Sequence, residues 1–322
     1  MKFKKIKVKS YGSFEDWNKR AGTYVKENEI NQIIDYDCDA YDEDGKPLFF
    51  FRKGVIPLNI CKNAYSVLRE AATVTTNRGN AGGIMDSEDL KFFNNKAIKH
   101  GESTKQVHKL KMDGTVSKTV YSKPVNSGII GYFDRQVRFP YCRQTAWTEN
   151  NFDKFNNARP YINRISEEFE KACPERYNAQ KKYIEKTNDD FFIKDTVFTT
   201  VTVNKNWRTA IHTDAGDCHE GLGNIAVLQA GKYNGGQTCL PRYKLGFDVR
   251  NGDVCFFNVH ELVLLILHVV HEWHGNLPIK SNTPYERVSI VCYYRQNMLN
   301  CKSAEEELQI IKNRTNLVGL NK

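Results

Sequence analysis

Three features of the 322-residue sequence predict an α+β fold with a jelly-roll β core and an N-terminal α/β extension. Residues 191–294 hold many short apolar runs separated by Gly, Asn and Asp, the pattern of a sandwich or jelly roll. One long amphipathic stretch, 158–186, precedes them. Upstream, short strand-like runs alternate with turns and a single helical segment. No long repeat or low-complexity linker divides the chain. Residues 1–150 are therefore read as an extension packed on a core of 151–322, the two forming one unit.

In chain order, residues 42–47 form an acidic turn ahead of a strand at 48–51, and a helix is expected over 62–72. Runs at 107–112 and 115–121 flank Asp113-Gly114, a two-residue hairpin signal. The long helix carries Ile162, Ile165, Phe169 and Ala172 at helical spacing and should break near Pro174. Strands are expected over 191–203, 224–228, 237–240, 245–249, 254–258 and 288–294, with turns at Asn234-Gly235-Gly236 and Asn251-Gly252-Asp253.

An aromatic content of 12% argues against a disordered chain. The net charge of +9 suits either an acidic partner or an ordinary mildly basic protein. Lysines 2, 4, 5, 7 and 9 form one cluster, and eight more between 91 and 123 face only Glu102 and Asp113. Such patches fit phosphate backbones, or simply a solvated face. The nine cysteines include no C-x-x-C pair, and Cys142, Cys239, Cys255 and Cys292 read as buried thiols in a reducing, intracellular compartment. The N-terminal lysines precede no apolar signal region, and the apolar run 262–270 is too short to span a bilayer, so no membrane partner is expected.

His212 and Asp214 are two residues apart, so on an extended backbone both side chains leave from one face. An imidazole and a carboxylate so placed can share a metal. A third ligand from a distant strand would complete the two-histidine, one-carboxylate triad of non-haem iron oxygenases. A chance pair on a surface strand has the same spacing.

The surrounding motifs occur in a fixed order: 206–217, then Gly223-Asn224-Ile225-Ala226-Val227-Leu228, Tyr233-Asn234-Gly235-Gly236, Val249-Arg250-Asn251-Gly252-Asp253, Trp273-His274-Gly275-Asn276 and Glu286-Arg287-Val288-Ser289-Ile290-Val291. This series resembles the TET/JBP family of nucleic-acid base oxygenases, most densely over 196–297. The resemblance implies a double-stranded β-helix that uses Fe(II), 2-oxoglutarate and O₂. It makes His212, Asp214 and His274 the iron ligands and Arg287 the guanidinium for the distal carboxylate of 2-oxoglutarate. The activity it implies is hydroxylation of the methyl group of thymine or 5-methylcytosine in DNA, on a base flipped out of the stack or single-stranded. A monomer is expected, nuclear in a eukaryote. Arg208, Asp217 and Asn224 are candidates for reading the base, although each also has a purely structural explanation. Tyr132, Phe133 and Trp147 could stack on it, with core packing the alternative.

One departure from the family pattern stands before the third ligand. Val259-His260-Glu261 recurs as Val270-His271-Glu272, so residues 262–272 read as inserted. His260, His268, His271 and His274 all compete for the ligand position, and His274 is preferred because Pro278 and Arg287 follow it as in the family, with His271 next. The insert must loop out, or its second half must replace 255–261 as the core strand. If it displaces His274, the chain becomes a nucleic-acid-binding protein with an impaired iron site. A remaining alternative is an oxygenase of this fold acting on a nucleoside, a protein or a small molecule.

Overall fold

Alternating side chains give the central sheet two buried faces, and each face is covered by a different layer. The computed structural model describes residues 3–93, 97–99, 106–111, 113–137, 139–214, 216–263 and 268–319; the side chains of 97–99, 260–263, 268–271 and 314–319 are outside that description. The central sheet has ten strands. From one edge these are Lys4–Lys7, Cys38–Tyr41, Pro47–Arg52, Val254–Phe257, Gly223–Ala230, Glu286–Tyr293, Thr200–Lys205, Val125–Phe133 and Arg143–Gln144, with Thr73–Thr75 also paired to Val125–Phe133. Strands from the first 150 residues thus hydrogen-bond directly to strands from the rest.

On one face, Ala226, Leu228, Val288, Ile290 and Cys292 pack against Phe155, Ile162, Ile165 and Phe169 of the helix Phe152–Ala172. Phe169 stacks on Phe256 at a ring distance of 5.3 Å. The other face, with Phe49, Phe51, Ile225, Val227 and Phe257, packs against Ile34, Leu240, Leu245 and Phe247. Those four belong to a smaller sheet ordered Gly275–Asn276, Thr238–Leu240, Leu245–Phe247, Gln32–Ile34. The result is an α+β architecture of helices, large sheet and small sheet, in which apolar burial favours this layering.

Most expected elements are present with shifted ends. The helix expected over 62–72 spans Leu58–Leu68, beginning just after Pro57. The long helix starts earlier, at Phe152, and ends at Ala172, and Pro174 opens a second helix, Pro174–Ile184. Proline lacks the N–H that a continuing helix needs but is suited to a first turn. The hairpin around Asp113-Gly114 forms from Val107–Leu110 and Val116–Tyr121.

Two expectations are corrected. Only Thr200–Lys205 of the 191–203 segment is a strand, because the preceding residues form a short 3-10 turn and a loop in which the Thr196 hydroxyl bonds the Ile193 carbonyl at 2.7 Å. Cys142 is not a free thiol, since it is joined to Cys301. Cys239, Cys255 and Cys292 are free and buried as expected.

The repeat at 259–272 loops out. Val254–Phe257 keeps its place in the large sheet, while His260–Val263 and His268–His271 pair with each other as a separate two-stranded ribbon. The ribbon closes at its base where the Glu272 N–H donates to the Val259 carbonyl at 3.0 Å. No helix among the described residues is long and apolar enough to cross a membrane.

Candidate metal centre and cavity

His212 and His274 come from segments 62 residues apart and are joined as an isolated antiparallel bridge. Asp214 completes the group. Its two carboxylate oxygens lie 3.6 Å from His212 Nε2 and 3.5 Å from His274 Nε2. Ligand atoms of all three residues fall within 4.8 Å of one another.

The backbone also fixes the tautomers. His212 Nδ1 lies 2.8 Å from the Ala210 carbonyl, and His274 Nδ1 lies 3.1 Å from the Glu272 carbonyl. A carbonyl can only accept, so each Nδ1 carries a proton, which leaves Nε2, on the side of the carboxylate, as the nitrogen available to a metal. Burial, reinforced by neighbouring His274, pushes His212 down to about 4, which keeps its imidazole neutral near neutral pH. Two imidazole nitrogens and a carboxylate are a suitable donor set for a divalent iron.

The three residues line a cavity of about 450 Å³. Its floor follows from strand alternation: Ser289, Val291 and Tyr293 of the Glu286–Tyr293 strand face it, beside Thr202 and Asn204 of the neighbouring strand. Arg287 is the next residue on that same face, behind Ser289, and is only 3% exposed. Its Nε and Nη2 have no partner, and burial pulls its guanidinium below the ordinary value. Gly236, at φ +72°, leaves room beside it, because a Cβ there would lie 3.3 Å from Arg287 Cδ and Nε. A shielded guanidinium with unused donors fits a bound carboxylate.

The three base-reading candidates separate. Asp217 lines the cavity, and burial, reinforced by Asp214 and opposed by Arg295, holds its carboxyl well above the ordinary carboxylate range. Arg208 is not among the lining residues. Its Nε donates to the Asn276 carbonyl at 3.1 Å and its Nη2 to the Val25 carbonyl at 2.6 Å, with Tyr24 beneath it. Asn224 is fully buried on the helix-covered side, where its amide donates to the Cys292 carbonyl at 2.5 Å and accepts from the Cys292 N–H at 3.0 Å. It extends the pairing of its strand one step beyond Ala226–Ile290, which is a structural duty.

Among the aromatics, Phe133 reaches the cavity, with the Arg295 guanidinium 4.0 Å from its ring centre. Tyr132 instead packs edge-on against Phe155 and Phe191, and Trp147 packs against the same core. The side chains of His260, His268 and His271 lie outside the described residues. Arg78, Trp207, Tyr293 and Arg295 also line the cavity and were not singled out from sequence. For Tyr293 a signal existed, since it shares the parity of Arg287 along one strand.

A family model, Tet_JBP, described as the oxygenase domain of the 2OGFeDO superfamily, matches residues 128–296. Thymine dioxygenase JBP1-B of Trypanosoma cruzi (strain CL Brener) is 36% identical over 175 residues, which is 52% of this chain and 19% of the relative. The bifunctional helicase and thymine dioxygenase JBP2 of the same organism is 25% identical over 295 residues, 87% of this chain and 22% of the relative. The chain therefore spans about a fifth of the length of these curated relatives. A solved structure of NgTET1 in complex with 5mC DNA matches with a TM-score of 0.51 at 13% identity, covering 94% of this chain and 100% of that one. At that identity the likeness is one of fold.

Proposed function

The chain belongs to the Tet_JBP oxygenase family, and from that premise we propose that it hydroxylates the methyl group of a methylpyrimidine, thymine or 5-methylcytosine, in DNA. The observation that carries this reading is the cluster of His212, Asp214 and His274, tautomers set by backbone carbonyls, in the wall of a cavity sized for a small ligand. The two facing sheets are read as the double-stranded β-helix of the family.

His212, Asp214 and His274 would hold Fe(II), and Arg287 would take the distal carboxylate of 2-oxoglutarate. Iron with 2-oxoglutarate and O₂ supplies the oxidation that converts the methyl C–H to C–OH, while 2-oxoglutarate leaves as succinate and CO₂. The chain's own part is placement and exclusion of water. The backbone bridge between His212 and His274 holds two ligands before any metal arrives. Asp217 remains the candidate among the three for a hydrogen bond to the base edge. A base in a duplex cannot enter this cavity, so the target is read as flipped or single-stranded, bound by a monomer. The basic clusters would hold the phosphates, and in a eukaryote a DNA substrate implies a nuclear protein. The position of His274 in the cluster argues against an iron site disabled by the ribbon.

Mass spectrometry of nucleosides from DNA carrying each methylpyrimidine, incubated with the protein, Fe(II) and 2-oxoglutarate, tests the reading. A hydroxymethyl product from at least one base is expected. Turnover of 2-oxoglutarate that free nucleoside or peptide stimulates and DNA does not would move the assignment to another substrate.

A further inference from the structure

Arg78 lies outside the family-matched segment 128–296, yet its side chain lines the same cavity as the His212–Asp214–His274 cluster. Its position is built rather than incidental. The Arg78 N–H donates to Ser122 Oγ at 2.9 Å, and the turn it opens, Gly79–Gly82, is tied to the centre where the Ala210 N–H donates to the Ala81 carbonyl at 3.0 Å. Ala210 is the residue whose carbonyl orients His212. One residue, Ala210, therefore links the Arg78 turn to the first histidine.

The Arg78 Nε is fully shielded and has no partner. Burial pulls the guanidinium down, and no carboxylate offsets that effect among the described residues; the Tyr293 phenol is the group that bears on it. Trp207 Nε1, also lining the cavity, is a second shielded donor without a partner. Leaving such donors unsatisfied is costly, and both residues line the cavity, so a ligand there that brings acceptors would offset the cost.

That ligand is not the dicarboxylate assigned to Arg287. Tyr233, Arg250 and Asp248 bear electrostatically on the Arg287 guanidinium, whereas Tyr293 bears on that of Arg78. Arg287 and Tyr293 are six residues apart on one strand, roughly 20 Å along it. A five-carbon acid held by the first guanidinium leaves the second for another molecule.

We propose that Arg78 is a specificity-determining residue that donates, with Trp207 Nε1, to a ring carbonyl oxygen of the pyrimidine in this cavity. This rests on the reading that a methylpyrimidine is the substrate. Both thymine and 5-methylcytosine carry an O2 acceptor, so the contact selects a pyrimidine carbonyl edge and does not by itself choose between them.

The test compares binding of two single-stranded oligonucleotides, one with a methylpyrimidine and one abasic at the same position. The protein carries Fe(II) and 2-oxoglutarate and is kept free of O₂. The parent should prefer the base-containing strand. R78Q should lower that preference roughly 10-fold or more, as loss of a charged hydrogen bond does, with 2-oxoglutarate affinity unchanged, and R78K should fall between. The metal-free R78Q protein should melt no lower than the parent, because a shielded unpartnered donor has been removed. An unchanged preference in R78Q overturns the proposal. So does weakened 2-oxoglutarate binding with preference kept, or equal loss for both strands, which marks a phosphate contact. A large drop in melting temperature makes Arg78 structural and also overturns it. A parent that fails to distinguish base from abasic site removes the methylpyrimidine reading itself, and this proposal with it.

Discussion

His212 and His274 exchange both backbone hydrogen bonds, each N–H donating to the other's carbonyl at 3.0 Å, and their rings stand 4.3 Å apart. This pairing makes the proposed third ligand position a property of backbone register rather than of side-chain flexibility. His274→Ala should therefore weaken iron binding at least about 100-fold, beyond the 10- to 100-fold typical of losing an outer partner. His271→Ala should leave it nearly unchanged. Calorimetric titration of Fe(II) under argon measures both, and the reverse pattern would sink the assignment of His274.

The ribbon at 260–271 should be dispensable. Its base is already closed by the Glu272 to Val259 hydrogen bond, which puts the two chain ends across an antiparallel pair, about 5 Å apart. Deleting residues 262–272 leaves the first Val-His-Glu copy to join Trp273, and three peptide units span about 10 Å. The shortened chain is expected to bind iron with the parent's affinity and keep its turnover. A gain of iron binding on deletion would mean that the ribbon does disturb the centre.

Arg287→Lys keeps the charge but loses the planar fork. The expected outcome is a KM for 2-oxoglutarate raised roughly 10- to 100-fold with DNA affinity unaltered. Steady-state kinetics with 2-oxoglutarate varied at saturating DNA measures it. An unchanged KM would place the distal carboxylate elsewhere.

Asp217 makes stability depend on pH. Its folded carboxyl titrates above its unfolded value, chiefly through burial, so the folded protein holds a proton that the unfolded chain releases. The associated stability is complete below about pH 4 and is lost as pH rises from there toward the folded value. Asp217→Asn cannot ionise, so its stability relative to the parent should grow as pH rises above about 4. Urea unfolding of metal-free protein from pH 4 to 8 tests this, and parallel curves would contradict it.

Asn224→Ala should destabilise the fold by about 2–4 kcal/mol, since it strands the buried N–H and carbonyl of Cys292. Denaturant titration measures the loss. A selective rise in KM for the nucleic acid, with stability intact, would restore the base-reading role that the structure does not support.

Much of the large sheet was legible because half-buried strands print their alternation and turn residues directly into sequence. The 223–230, 254–257 and 286–293 strands were all expected within a few residues. The 192–199 segment misled because Phe, Val and Thr favour strands wherever they pack against a core, and here they pack from a loop. Cys142 misled for a related reason, as its partner Cys301 is 159 residues away and no local pattern encodes such a pairing.

The His-x-Asp spacing and the order of the surrounding motifs were enough, from sequence alone, to nominate His212, Asp214 and His274 and the fold class. Tertiary structure alone decided which polar residues serve the cavity. Asn224 and Arg208 lie near the motif in sequence, but one points into the helix-covered core and the other is bound to backbone carbonyls. Arg78, 134 residues before His212, reaches the cavity through a turn hydrogen-bonded to Ala210. Spacing within a strand sets the face from which a side chain leaves. What meets that face depends on non-local hydrogen bonds and packing, which no single segment of the sequence contains.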